Sequence, residues 1–241
     1  MSTIYHSFIY TPLYNLLVLL FKIAPWADAG VIVVLLTLIV RFVLFPLSKK
    51  AIVTQVAMQE INPKLAEIKE KHKDSQEEQT KATLALYKEK GINPFSGILL
   101  LIVQLPIIWA LYRIFLYGGL PTVNLGLLYS FVHAPSHINT VFLGLIDITK
   151  KSAFLAALAA ITSFFQLKIA TGRMAAPQGT GFSDNLARSM QTQMKYFFPL
   201  IVFFISYKIS GVIALYWLTT NLFTIAQELY VRRNLRKAAS I

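Results

Sequence analysis

Arg41 is the residue around which this sequence can assemble chemistry. It stands inside VIVVLLTLIVRFVLFPL, residues 31–47, a stretch that is apolar apart from Thr37, Arg41 and Pro46. As a helix rising 1.5 Å per residue, the stretch is about 25 Å long, close to the hydrocarbon thickness of a bilayer. Arg41 then lies about 16 Å along the axis from Gly30 and about 12 Å from Lys49. A guanidinium at that depth costs at least about 3 kcal/mol, which marks a functional position. Snorkelling to an interface is the alternative. Helical side chains tilt toward the N-terminus, here away from the nearer, lysine-rich end, so that escape is long. A polar cavity facing Arg41 is the better expectation.

The residues that can face it are amides and hydroxyls. On its own helix Thr37 and Ser48 share its face. Gln104 lies in a second apolar stretch, and Thr162 and Gln166 stand four apart in a third, with Ser163 beside them. Trp217, Thr220, Asn221, Thr224 and Gln227 form one stripe at helical spacing near the end of the chain. Taken singly, each is most simply a bridge between helices, worth under about 1–2 kcal/mol. Several apolar stretches each supplying such groups, with one cation among them, describe a hydrated groove. The spans contain no Asp or Glu, since Glu228 falls at a boundary. Proton coupling through intramembrane carboxylates therefore has no candidate, and a lone cation is available to anionic groups that arrive from elsewhere.

Other chemistry is weakly supported. His133 and His137 are four apart, but Pro135 between them spoils a helix and no further ligands cluster nearby. No phosphate-binding loop, dinucleotide fingerprint or nucleophile elbow is present. An enzyme is not expected, nor is a cofactor or a metal.

These groups need helices to position them. The chain is 56% hydrophobic, which with its long apolar runs indicates an all-α polytopic membrane protein. Residues 1–30 hold one run, 13–24, interrupted by Asn15 and Lys22 and closed by Pro25. It is too short to span and reads as an interfacial helix, with a short signal-anchor as the alternative. No removable signal peptide is evident. Five spans are expected at 31–48, 94–117, 152–170, 195–208 and 211–230. Residues 118–151 form an extracytoplasmic segment punctuated by Gly118-Gly119, Pro121 and Pro135. Residues 171–194 form a loop and 231–241 a basic tail.

Between the first two spans, 49–93 changes character, carrying nine Lys and seven acidic residues. Ser75-Gln76-Glu77-Glu78 is a capping-box pattern that starts a second arm, and Gly91 ends it. Ile61, Leu65 and Ile68 on the first arm are placed to meet Leu84 and Tyr87 on the second. This is a solvated helical hairpin with a thin apolar seam.

The net charge of +12 would suit nucleic acid, but its distribution fits a membrane better. With the N-terminus outside, the hairpin, loop and tail are cytoplasmic and hold 17 Lys and Arg, against five on the other side. Lys150-Lys151 is a local exception. The basic hairpin and tail are otherwise solvated faces, with RNA or anionic lipid as possible contacts. Zero cysteines exclude disulfides and thiol chemistry.

At these residues the chain resembles the YidC/Oxa/Alb family of membrane protein insertases. The matching pieces are Leu36-Thr37-Leu38-Ile39-Val40-Arg41 with Phe45-Pro46-Leu47, Asn62-Pro63-Lys64-Leu65, and Asn93-Pro94 with Gln104-Leu105-Pro106-Ile107. Phe165-Gln166 and Leu215-Tyr216-Trp217-Leu218-Thr219-Thr220-Asn221-Leu222-Phe223 follow in family order. The resemblance implies a five-span core around a hydrophilic groove open to cytoplasm and lipid. Arg41 matches the groove arginine, and Gln166 and Trp217 match groove-lining positions. The second and fourth spans match an apolar slide for the departing helix, with Ile107 and Leu111 on one and Phe197, Leu200 and Phe204 on the other. The implied location is the plasma (inner) membrane of a bacterium. The implied partners are nascent membrane proteins and the lipid bilayer, then the ribosome and the Sec translocon, and no DNA. Against that pattern the chain has no large extracytoplasmic domain before its first span, no lipobox cysteine, and a short basic tail. A small-solute transporter or a channel subunit is the alternative reading.

Overall fold

The computed structural model describes residues 5–93, 96–116, 122–171 and 182–239. Pro94, the Gly118-Gly119 and Pro121 punctuation, and 172–181 of the expected loop lie outside them. The described chain is predominantly helical. Its residues fall into two compact units, Met1–Leu44 with Leu101–Ser163 and Pro199–Phe223, and Phe45–Leu100 with Phe164–Phe198 and Thr224–Ile241.

The first unit begins with α1 (Thr11–Ile23), which carries proline in its first turn and stops short of Pro25. Tyr14, Leu17 and Val18 of α1 are buried in the unit's core with Ile32, Val33 and Leu36 of α2 (Ala29–Val43). Asp28 caps α2, its Oδ1 accepting from the Val31 N–H at 2.9 Å. The helix stops at Leu44 and a new one, α3 (Phe45–Glu60), starts at once. The stretch expected as one helix over 31–48 is therefore broken. Pro46 explains the break, since its ring opposes a helical carbonyl four residues back and it donates no N–H.

Asn15 ties α1 to the segment that precedes the third apolar helix. Its amide donates to the Leu127 carbonyl at 2.8 Å and its oxygen accepts from the Tyr129 N–H at 2.7 Å. Further on, β1 (Val141–Phe142) pairs antiparallel with β2 (Ile146–Asp147), Val141 opposite Asp147 and Phe142 opposite Ile146. No local residue pattern marks this small hairpin. Phe142 lies against Gly30 so closely that a Cβ at Gly30 would overlap the ring.

In the second unit, α4 (Asn62–Lys71) and α5 (Gln76–Glu89) form the expected hairpin. Ser75 Oγ accepts from the Glu78 N–H, the predicted half of a capping box. Gly91, at φ +62°, ends α5 in a Schellman motif, with Ile92 N–H to the Tyr87 carbonyl and Gly91 N–H to that of Lys88. The seam is corrected at one position. Leu84 is exposed, and Leu86 packs with Ile61 and Ile92 instead.

Four longer helices complete the chain: α6 (Ser96–Leu116), α7 (Ala153–Thr171), α8 (Phe182–Ile209) and α9 (Gly211–Ala239). Residues 182–194, expected in a loop, are helical, so the short apolar stretch 195–208 is the end of a 28-residue helix. The expected tail continues α9 to Ala239. By length and composition α7 is apolar enough to cross a membrane over Ala153–Ala170, and α2 with α3 passes together as a broken span.

The notch at Gly30 gives a prediction. Gly30→Ala forces the near end of Phe142 to move and should cost about 1–3 kcal/mol, read as a lowered thermal midpoint. Adding Phe142→Ala should recover part of that loss; strict additivity of the two would show that the contact does not constrain the helix.

Candidate functional site

Arg41 sits in the last turn of α2, just ahead of the break at Leu44. Carbonyls left unpaired at a helix C-terminus carry partial negative charge, so the break itself supplies a favourable field for the guanidinium. The side chain is partly buried.

Its partner is Tyr216 on α9, whose phenolic oxygen accepts from Arg41 and Gln104. Gln104 Nε2 donates to that oxygen at 2.5 Å. A phenolic hydroxyl has two lone pairs and one proton. Gln104 and Arg41 both donate to it. The hub is nearly inaccessible, with Tyr216 3% exposed. On the other side of the amide, Gln104 Oε1 is buried with no hydrogen-bond partner among the described residues. The described ion pairs do not involve Arg41.

The remaining predicted groove residues divide. Trp217 is partly buried beside the hub in sequence. Thr37 is 2% exposed and its hydroxyl donates to the Val33 carbonyl of its own helix at 2.7 Å, so it is a core residue and not a groove wall. Asn221 is buried, its Nδ2 donating to Ser163 Oγ at 2.7 Å, Ala159 carbonyl at 3.1 Å and Thr162 Oγ1 at 3.2 Å. Thr162 in turn donates to the Leu158 carbonyl at 2.8 Å. Asn221 and Thr162 thus bind α9 to α7, the bridging role that any single polar residue was expected to have. Gln166 and Thr224 are partly buried and belong to the second unit.

Leu111, expected on an exposed slide, is 2% exposed and packs in the core with Ala110 and Ile114. Ile107 is packed against the same core. The exposed row on α6 is Ile102, Leu105 and Trp109, at spacings of three and four on another face of the helix. On α8, Phe197, Leu200 and Phe204 are exposed as expected.

The second unit holds its own buried polar set. Gln227 Nε2 donates to Ser48 Oγ at 2.6 Å, and Arg232 pairs with Glu228 at 2.8 Å while donating to Gln59 at 3.3 Å. These groups fasten α9 to α3. His133 and His137, weighed above as metal ligands, line a cavity of about 560 Å³ with Lys22, Trp26, Asp28 and Asn139.

Known proteins resemble this chain over most of its length. The profile of the 60Kd inner membrane protein family matches residues 20–238. A membrane protein insertase YidC of Wolinella succinogenes is 31% identical over 229 residues, 95% of this chain and 38% of that protein. A membrane protein insertase YidC of Citrifermentans bemidjiense is 28% identical over 224 residues, 92% of this chain and 36% of that protein. The chain thus spans little more than a third of the length of these relatives. With the match covering nearly its whole length, the chain belongs to the 60Kd inner membrane protein family, the family of the YidC insertases.

Proposed function

We propose that this chain is the working core of a membrane protein insertase. It receives apolar segments of nascent membrane proteins in a polar groove around Arg41 and releases them into the bilayer. Its five spans are α2 with the start of α3, α6, α7, the apolar end of α8, and the first half of α9. The hairpin α4–α5 and the C-terminus are cytoplasmic, the N-terminus is outside, and the membrane is the inner membrane of a bacterium. Nascent chains and lipid are its partners, then the ribosome and the Sec translocon.

The observation that carries this reading is the neutral partner of Arg41. A cation held by a tyrosine hydroxyl is stabilised but not neutralised. A carboxylate on an incoming segment adds to the hydrogen bond a charge–charge attraction that a neutral phenol cannot supply, so exchange is downhill. Gln104 Oε1 supplies an acceptor for a backbone N–H of the same segment. The groove shortens the roughly 30 Å of hydrocarbon that a polar flank must cross. The apolar part of the segment leaves for lipid along Ile102, Leu105 and Trp109, and along Leu200 and Phe204. Burial of that part at about 25 cal/mol per Å² drives the step.

Insertion into proteoliposomes, with flank charge varied at fixed hydrophobicity, tests the reading. Arg41→Ala should impair substrates with acidic flanks far more than neutral ones, and Arg41→Lys should retain most activity. Flux of ions or small solutes without insertion would favour the transporter or channel. Tyr216→Phe removes the resting acceptor of Arg41 and should shift selectivity toward acidic flanks by about tenfold, since a hydrogen bond to a charged group is worth roughly 1.5–3 kcal/mol. Equal change across all flanks would overturn that exchange. Asn221→Ala is the control, expected to cost about 1–2 kcal/mol of stability and to affect all flanks alike. Cysteines at Ser75 and Thr122 should label from opposite sides of the membrane; same-side labelling would refute the topology.

A further inference from the structure

The turn of the β1–β2 hairpin breaks a local rule. Leu143 has φ +51° and Gly144 φ +71°, with Leu145 N–H bonded to the Phe142 carbonyl at 3.0 Å. Two successive left-handed residues favour Asn-Gly or Asp-Gly, because a branched apolar side chain gains nothing from that conformation. Leucine occupies the first position nonetheless, and it is 64% exposed. Leu145, two residues on, is 81% exposed. A residue held in strain and offered to the surroundings signals a use for its side chain.

The hairpin is rigidly mounted. The Leu143 N–H donates to Asp28 Oδ2 at 2.9 Å, while Oδ1 of the same carboxylate caps α2. The Ala29 N–H donates to the Asn139 carbonyl at 2.7 Å, and Phe142 fills the notch at Gly30. The leucines therefore stand at a fixed height beside the N-terminal end of a helix that the family places in a membrane. Trp26, 78% exposed, is at the same end of α2. Lys22, Lys150 and Lys151 are exposed nearby in the chain. Tryptophan and lysine are the residues that settle at the boundary between headgroups and acyl chains.

We propose that Leu143–Gly144–Leu145 is a lipid-contact loop that dips into the interfacial layer of the leaflet at the N-terminal end of α2. Its occupant is phospholipid. The exposed lysines supply the complementary charge for phosphate headgroups, and the two leucines supply the apolar wedge. The proposal is independent of the groove, so either can fail without the other.

The chain has no cysteine, so Leu145→Cys gives a single labelling site. An environment-sensitive fluorophore there, in the full chain in phosphatidylglycerol-containing proteoliposomes, should show blue-shifted emission. Nitroxides attached to lipid near the headgroup should quench it, and aqueous iodide should not. Water-like emission with free iodide quenching would overturn the proposal. So would a signal that changes on dilution with unlabelled chain, which would reveal a protein neighbour. Leu143→Asn, which suits the turn, should keep or raise the thermal midpoint while moving the label at 145 toward water. An unchanged label environment in that variant would overturn a lipid role for Leu143.

Discussion

A guanidinium among apolar side chains is tolerated only where acceptors surround it, and the rest of this structure follows from how that need is met. The usual solution, a buried carboxylate, would neutralise the charge and close the site. Here the acceptors are weaker and uncharged. Tyr216 offers a lone pair, and Arg41 lies in the last turn of its helix, where the backbone field favours a cation. The price of leaving the cation unneutralised is borne by well-packed surroundings, with Leu36, Thr37 and Leu215 almost inaccessible.

Pro46 is central to that solution. It ends the first apolar helix at Val43, which leaves Arg41 in the last turn, where the helix dipole favours a cation. Had the helix run on, the guanidinium would lie beside satisfied backbone with no field of its own. The same proline starts α3, whose Ser48 accepts from Gln227.

Much of this was legible in the sequence where local chemistry decides. Ser75 and Gly91 announce a cap and a helix end because their roles depend on neighbours a few residues away. Arg41 announces itself by its cost. What escaped depends on contacts distant in sequence or on a choice of helix face. Tyr216 was overshadowed by Trp217, although Tyr216 and Thr220, four apart, were the available signal for a hydroxyl pair on one face. Leu84 and Leu86 differ by two positions and so lie on nearly opposite sides of α5. The resemblance implies a slide position for Leu111, and its apolarity cannot distinguish a core from a bilayer. The extension of α8 to Phe182 was masked by polar residues, though Leu186, Met190 and Met194 recur every four.

The bond from Leu143 to Asp28 joins residues 115 positions apart, and this separation becomes a delay when the chain is made. At about 5–20 residues per second, some 6–23 s pass between the emergence of Asp28 and that of its partner. During that time α2 carries its cap but not its hairpin. The notch at Gly30 is empty, and one oxygen of Asp28 faces solvent. The N-terminal end of α2 is therefore completed late, after the α4–α5 hairpin has been synthesised. Early handling of this helix has to be done without the element that later fixes it.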